Sequence, residues 1–484
     1  MISSAPALNG IVSVLPEILL LVFACHSFLR EGGGERQRFL AGPAFLALFS
    51  TLLLIPFYWG RNISGFGGLI LRDNFSLLLQ LVALLCLFLV ILYSHEYLQR
   101  EKRHGAEYYG FILIAAIGMN IMMAATDLMV VFLGMEIMSL SLYVLVGFCK
   151  QVKEGMEAAL KYFLLGAFSS AVFLFGIALI YGVSGGTGIS GVGIFDSSIG
   201  GGLPLLFTAA ALLFVGIGFK IAAVPFHMWA PDVYEGAPVS IASLLAVAPK
   251  IAAFAVFIRV GTELAGYALG MVGGLVIVMA VASMVLGNFA ALRQDGLVRM
   301  LAYSGIAQAG YMLIAFYALP EGSSALIFYL CVYALMNMGA FGVAVHLSRG
   351  NEGILRLKDM AGLGSRSPFL ALAMAVFMLS LTGIPPTGGF FAKFYVFKFG
   401  LEAGHLGTVI VAVLMSVVSA YYYLRVIVYM YMGEDSDFLP PASASPVNVF
   451  TVVIAVLAGS TILMGVLPGF FLEVALSCFS GGRV

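Results

Sequence analysis

The chain has 484 residues, of which 62% are hydrophobic and only 10% charged, with a formal net charge of +0. Soluble domains do not have this balance, and apolar stretches of about 20 residues recur throughout, so the reading is a polytopic membrane protein. Neutral charge and the lack of any nucleic-acid-binding pattern exclude a nucleic-acid partner, and five scattered cysteines without a C-x-x-C pair argue against an iron–sulfur or zinc site in this chain.

Met1 to Gly10 contains no lysine or arginine, which is wrong for a secretory signal and suits a translocated N-terminus. From there the apolar cores fall near 11–29, 39–58, 74–93, 109–125, 128–149, 159–183 and 203–234, then 239–262, 266–287, 297–318, 323–347, 368–400, 405–431 and 447–473. This gives an all-α fold of about 14 transmembrane helices in a single domain covering 1–484. Basic residues collect on alternate loops. One side holds Arg30, Arg36 and Arg38, then Arg100, Lys102 and Arg103, Lys150 and Lys153, Arg293, and finally Arg349, Arg356, Lys358 and Arg366. The other has little beyond Arg61, Arg72 and Arg483, so the positive-inside rule puts both termini on the non-cytoplasmic side. An even helix count also puts both ends on one side.

The seventh and twelfth spans are broken, by Pro225 and by Pro385-Pro386. Proline removes a backbone donor and clashes with the preceding turn. At membrane depth such a break survives only where it lines a cavity or is buried in protein. Paired breaks in two halves mark ion sites in transporters built from inverted repeats. Each break here has a lysine within two turns of it.

Four ionisable residues, Glu136, Lys220, Lys250 and Lys393, sit well inside these spans. A charge at the bilayer centre costs roughly 2.5–3.5 kcal/mol even on the lenient scale, so such residues line ion paths or pair. The bland reading of a lysine is snorkelling to a nearby interface. Lys250 lies about 12 residues into its span, near mid-membrane at about 1.5 Å per residue, and has no interface in reach. Lys161 is one turn from the loop holding Lys153, where snorkelling is an equal reading. His227, two residues past Pro225, reads from the residues alone as a break histidine satisfied by backbone. Asp232 and Glu235 read as mouth or capping residues, and Asp127 as a carboxylate suited to a helix N-terminus. Arg259, His346 and Arg425 read as interface anchors. The glycine-rich runs Gly32–Gly34 and 184–193 lie between membrane helices and read as flexible loops, since a phosphate-binding fingerprint needs a strand before it and a helix after it. No NAD, flavin or ATP site is found.

Several of these stretches carry a resemblance. KIAAVPFHMWAPDVYEGAPVSIASLLAVAPK from Lys220 to Lys250, FLGMEIMSLSLYVLVGF around Glu136, RMLAYSGIAQAGY from Arg299 to Tyr311 and TGIPPTGGFFAKFYVF from Thr382 to Phe397 resemble the antiporter-like membrane subunits of NADH-quinone oxidoreductase, respiratory complex I. AYYYLRVIVYMYM from Ala420 to Met432, and a lysine at 393 where M-type members carry glutamate, are similar to the N-type branch of that family. The chain also ends soon after its last span, without the long lateral helix of the L-type.

The resemblance implies two inverted five-helix repeats, near 109–262 and 266–431, and a proton relay from Glu136 through Lys220 and Lys250 to Lys393. It adds Lys161 to the same polar axis and gives His227 a gating or relay role. Many members carry histidine where this chain has Gln308; glutamine binds water but takes up no proton at physiological pH, so the step from Lys250 to Lys393 is expected to depend on ordered water. The implied function is proton translocation in the inner (plasma) membrane, driven by electron transfer from NADH to quinone elsewhere in the complex. FMN and iron–sulfur clusters belong to partner subunits, quinone is handled by the complex, and the partners are the lipid bilayer and other membrane subunits. A subunit of a multi-subunit sodium/proton antiporter is the alternative within the fold; a passive membrane scaffold is the alternative outside it.

Overall fold

The computed structural model describes residues 6–29, 40–100, 105–191, 202–348, 355–433 and 449–480. The glycine run at 32–34, residues 192 and 193 of the second run, and Arg30, Arg36, Arg38, Lys102, Arg103, Arg349 and Arg483 lie outside them. The chain opens with α1 (Pro6–Ser13), α2 (Leu15–Leu29) and α3 (Gly42–Tyr58). A short antiparallel hairpin follows, β1 (Ile63–Gly65) and β2 (Ile70–Arg72), registered Ile63 to Arg72 and Gly65 to Ile70. Then come α4 (Asn74–Arg100), α5 (Ala106–Ala124), α6 (Leu128–Val146) and α7 (Lys153–Ser184). The first break separates α8 (Gly202–Lys220) from α9 (Trp229–Gly236). Next are α10 (Val239–Leu292), α11 (Leu297–Leu313), α12 (Ser323–Leu347) and the short α13 (Leu363–Arg366). The second break parts α14 (Pro368–Thr382) from α15 (Gly388–Glu402), before α16 (Leu406–Met432), α17 (Val449–Val466) and α18 (Pro468–Ser480).

Ten helical spans among the described residues, two of them within α10, are long and apolar enough to cross a membrane, and five shorter apolar helices accompany them. Two of the short ones, Pro204–Lys220 and Pro368–Thr382, are short because they stop at the breaks. Two differences from the sequence reading stand out. The spans expected at 239–262 and 266–287 run as one continuous 54-residue helix, α10, with two apolar windows, Val239–Leu264 and Val272–Leu292. Between the windows neither proline nor a charged turn interrupts the hydrogen-bond ladder. The last span, expected unbroken over 447–473, divides at Pro468, which starts α18 as a residue without an N–H to give.

The first window of α10 is buried throughout and forms the centre, packed by α11, α12, α4, α5 and α8. Helices α7, α16 and α17 lie at the periphery, turning Phe168, Val417 and Val456 outward as a lipid-facing surface would. Loops gather into two groups. Leu297 N donates to Leu355 O and Leu357 N to Asp295 O, joining loops that both carry basic residues. At another group, Thr126 N donates to Leu69 O and Leu128 N to Thr187 O, which ties the hairpin, the start of α6 and the described part of the glycine run together. That run is therefore pinned by backbone pairing at its first half rather than loose.

Candidate functional site

Lys220 is the last residue of α8, 3% exposed, so its ammonium sits at the negative end of a half-helix. Its Nζ donates to Ser139 Oγ at 2.7 Å. Ser139 lies one turn beyond Glu136 on the same face of α6, since residues three apart are helical neighbours. Glu136 and Lys220 form no direct ion pair; the hydroxyl takes the ammonium instead, and Glu136 Oε1 is buried without a hydrogen-bond partner. Tyr143, one further turn along α6, also has a buried hydroxyl without a partner. The Ser139 hydroxyl itself donates to Met135 O, so the unused hydrogen-bonding capacity near the ammonium belongs to Glu136 and Tyr143.

Lys250 stands in the buried window of α10, immediately after Pro249. Proline cannot donate to the carbonyl four residues back, and that carbonyl, Leu245 O, accepts from Tyr234 Oη at 3.0 Å. The next one, Ala246 O, accepts from Tyr333 Oη at 3.0 Å. The Lys250 ammonium donates to Gly305 O on α11 at 2.9 Å. A Cβ at Gly305 would stand 3.0 Å from Lys250 Nζ and 3.2 Å from Tyr333 Oη, so the absent side chain is what admits the ammonium.

Lys393, on α15, reaches back across the second break. Its Nζ donates to Thr382 O at 2.8 Å and to Ser416 Oγ on α16 at 2.9 Å. Thr382 ends α14, so this ammonium too sits at the C-terminus of a half-helix. The break closes tightly: a Cβ at Gly389 would fall 1.8 Å from Ser380 O, and Gly389 N donates to Ser380 Oγ. Only glycine lets α15 start against the end of α14. At the second break the end of α14 gives the buried cation a carbonyl, whereas at the first the hydroxyl comes from Ser139 on the neighbouring α6.

Between Lys250 and Lys393 lies a buried polar cluster on α11, α12 and α16. Gln308 Nε2 donates to Leu381 O at 3.1 Å and to Tyr423 Oη at 3.2 Å, while Gln308 Oε1 accepts from Tyr329 Oη. Tyr423 Oη also hydrogen-bonds Ser304 Oγ, next in sequence to the Gly305 that holds Lys250. Gln308 is 1% exposed, and both of its N–H groups are engaged by protein. Ser304, Tyr329, Ser416 and Tyr423 were not legible beforehand, because their partners lie 21 to 119 residues away in sequence though adjacent in space.

Lys161 is placed apart from this axis. Its side chain is 44% exposed and pairs with Glu157 at 2.7 Å and Asp232 at 3.1 Å. Arg299 pairs with Asp232 at 2.9 Å and Glu235 at 2.7 Å, so the two acids of α9 clamp it to α7 and α11 rather than acting as free mouth residues. His227 lies in the first break, half-buried, with Nδ1 unpartnered. Asp127 caps α6 as expected, accepting from Met129 N and Val130 N.

A second buried charge cluster was missed. Arg72, counted from sequence as a loop charge, is 1% exposed and pairs with Glu17 of α2. It also donates to Ser13 O and Gln80 Oε1, each at 2.7 Å. Arg259, expected at an interface, pairs with Asp73 at 2.8 Å and lies 4.9 Å from the Phe75 ring centroid. Arg425 donates to the carbonyls of Leu292 and Gln294, tying α16 to the end of α10, and His346 stacks on Phe450. Among the described residues no group of three or more His, Cys, Asp or Glu is arranged to hold a metal ion.

The family model described as NADH:quinone oxidoreductase/Mrp antiporter, TM, matches residues 125–419, which contain every buried lysine above. A curated relative in Trichlorobacter lovleyi, NADH-quinone oxidoreductase subunit N, is 42% identical over 96% of this chain and 95% of its own. A chain in the structure of respiratory complex I from Thermus thermophilus is similar at 34% identity and a TM-score of 0.81, over 95% of this chain and 98% of that one. A chain of the Mrp complex from Dietzia shares the fold, with a TM-score of 0.83 over 98% and 97%, at 22% identity.

Proposed function

Because the chain belongs to the family of NADH-quinone oxidoreductase subunit N, we propose that its four buried charges carry protons through the membrane part of that complex. The redox chemistry, with NADH, FMN, iron–sulfur clusters and quinone, falls to partner subunits. The chain is a polytopic membrane protein, and the reading assigns it to the inner (plasma) membrane beside other membrane subunits, with both termini non-cytoplasmic. The reading takes inverted repeats at 109–262 and 266–431 as its framework, each contributing one broken helix.

One observation carries the reading. Each of the three buried ammoniums, on Lys220, Lys250 and Lys393, is met by neutral oxygens and by no carboxylate. Structural buried charges are paired, because an uncompensated charge is costly. Lysines met by neutral oxygens suit groups that exchange protons, since those oxygens can hold the charged state in transit. Glu136 adjusts the first of them: a carboxylate drawn toward Lys220 favours the ammonium, and one drawn away favours release. Ser139, whose own proton goes to Met135 O, holds the ammonium one turn from that carboxylate. Lys161 and His227 join at the edge, Lys161 through its bridge to α9 and His227 through its unpartnered nitrogen in the break.

The sodium/proton antiporter alternative is the weaker reading, since the relative at 42% identity carries the subunit N name while the Mrp likeness is one of fold. Purification through a tag on this chain tests the assignment. Co-purification of an NADH-oxidising assembly supports it; an assembly without that activity, exchanging sodium for protons, refutes it.

A further inference from the structure

The two half-helices that carry the breaks end in the same way, but on different residues. At the end of α14, Gly383 N donates to Ser380 O and Ile384 N to Leu379 O, with Gly383 at a φ of 91°. At the end of α8, Ala222 N donates to Phe219 O and Ala223 N to Gly218 O, with Ala222 at a φ of 58°. Each is the left-handed cap in which one residue turns the chain out of the helix and its successor bonds five residues back. Glycine takes that conformation freely, whereas a Cβ crowds the carbonyl that follows, so the cap suits Gly383 and opposes Ala222. Such a residue stays left-handed only where its surroundings hold it there.

The holding contact comes from α10. If Ala222 returned to the right-handed region, α8 would wind on until the Pro225 ring met the carbonyl of Ile221. In that added turn Val224 N would donate four residues back, to Lys220 O. It donates instead to Ser283 Oγ, at 2.8 Å. Ser283 is 0% exposed, on the second apolar window of α10. Met279, one turn before it, packs on the end of α8, where a Cβ at Gly218 would fall 2.6 Å from its Cε. Lys220 thus lies between two positions that this face of α10 braces. Lys220 O and Ser283 Oγ are rival acceptors for one amide, and the winner decides whether α8 stops at Lys220 or runs past it. The negative end of a helix acts only within its last turn, so winding on would withdraw it from the Lys220 ammonium.

We propose that Ser283 is a positioning residue for Lys220, which by accepting the Val224 amide holds α8 to its end at Lys220 against the winding that Ala222 favours. This rests on the relay reading above and adds to it a control contributed from outside the broken helix.

The test uses the native complex carrying Ser283→Ala, with a density map of the assembled complex and protons pumped per electron in proteoliposomes. The map should show α8 wound past Lys220 toward Pro225, and pumping per assembled complex should fall. Adding Ala222→Gly makes the left-handed turn favourable again and should return both the break and the pumping. A serine that merely fills space gives less assembled complex, unchanged pumping in what assembles, and no repair by the glycine; that pattern overturns the inference. An intact break in the Ser283→Ala map overturns it, and so does a loss of assembly or pumping that Ala222→Gly leaves unrepaired. Wild-type pumping by Lys220→Ala overturns the relay reading itself, whatever the map shows, whereas an intact break overturns this inference alone.

Discussion

Glu17→Leu removes the carboxylate paired with Arg72, a guanidinium that is 1% exposed. Breaking a buried pair from one side costs about 3–5 kcal/mol, because it strands the other charge. Arg72 keeps Ser13 O and Gln80 Oε1 as neutral acceptors, which places the expected cost near the low end, about 3 kcal/mol. That corresponds to roughly a hundredfold shift in the balance between docked and undocked α2. The double change Glu17→Leu with Arg72→Met removes both charges and should be milder than Glu17→Leu alone, as uncharged replacements of buried pairs often are. The assay is heating of the purified complex, following the fraction that keeps this subunit, with pumping per electron measured on what remains assembled. Glu17→Leu should come apart at lower temperature, the double variant at a higher one, and pumping per assembled complex should hold in both. A Glu17→Leu complex as heat-stable as wild type, or a double variant as weak as the sum of the singles, would refute the reasoning.

Gly305→Ala would put a methyl 3.0 Å from Lys250 Nζ; the ammonium must shift against the Gly305 carbonyl, and pumping per electron in assembled complex should drop. Gly389→Ala meets Ser380 O at 1.8 Å, a clash that backbone cannot absorb, so the amount of assembled complex should fall sharply on native gels. Arg299→Ala leaves Asp232 and Glu235 without their shared cation, whereas Lys161→Ala removes an exposed partner that solvent replaces. Heat stability of the complex should therefore fall further in Arg299→Ala than in Lys161→Ala.

Much of this was readable from the chain because the membrane makes the rules strict. Long apolar runs, two proline breaks and lysines far from any interface have few alternatives in lipid, and the breaks stand where Pro225 and Pro385-Pro386 put them. The lysines' partners were a different matter. Ser139 was within reach of the argument, being three residues from Glu136 on one helix. Gly305, Ser416 and Tyr423 were not, since no local spacing says that α11 and α16 meet α10 and α15. Arg72 misled in the opposite sense. Charge counting treats every arginine outside an apolar run as solvated, but the two-stranded hairpin folds this one inward onto Glu17. The merged α10 escaped for lack of a signal, as hydropathy dips at its middle without any residue that stops a helix.

The central claim is that Glu136 and Lys220 work as a switched pair in proton transfer, and protons pumped per electron in proteoliposomes, normalised to assembled complex, tests it most directly. Lys220→Ala removes the ammonium that Ser139 holds. Glu136→Gln keeps the shape of the acid without its charge. Both should lose most of the pumping coupled to NADH oxidation while the complex still assembles, and Glu136→Asp should retain part of it. Wild-type stoichiometry in both Lys220→Ala and Glu136→Gln would contradict the account and leave this chain a membrane scaffold.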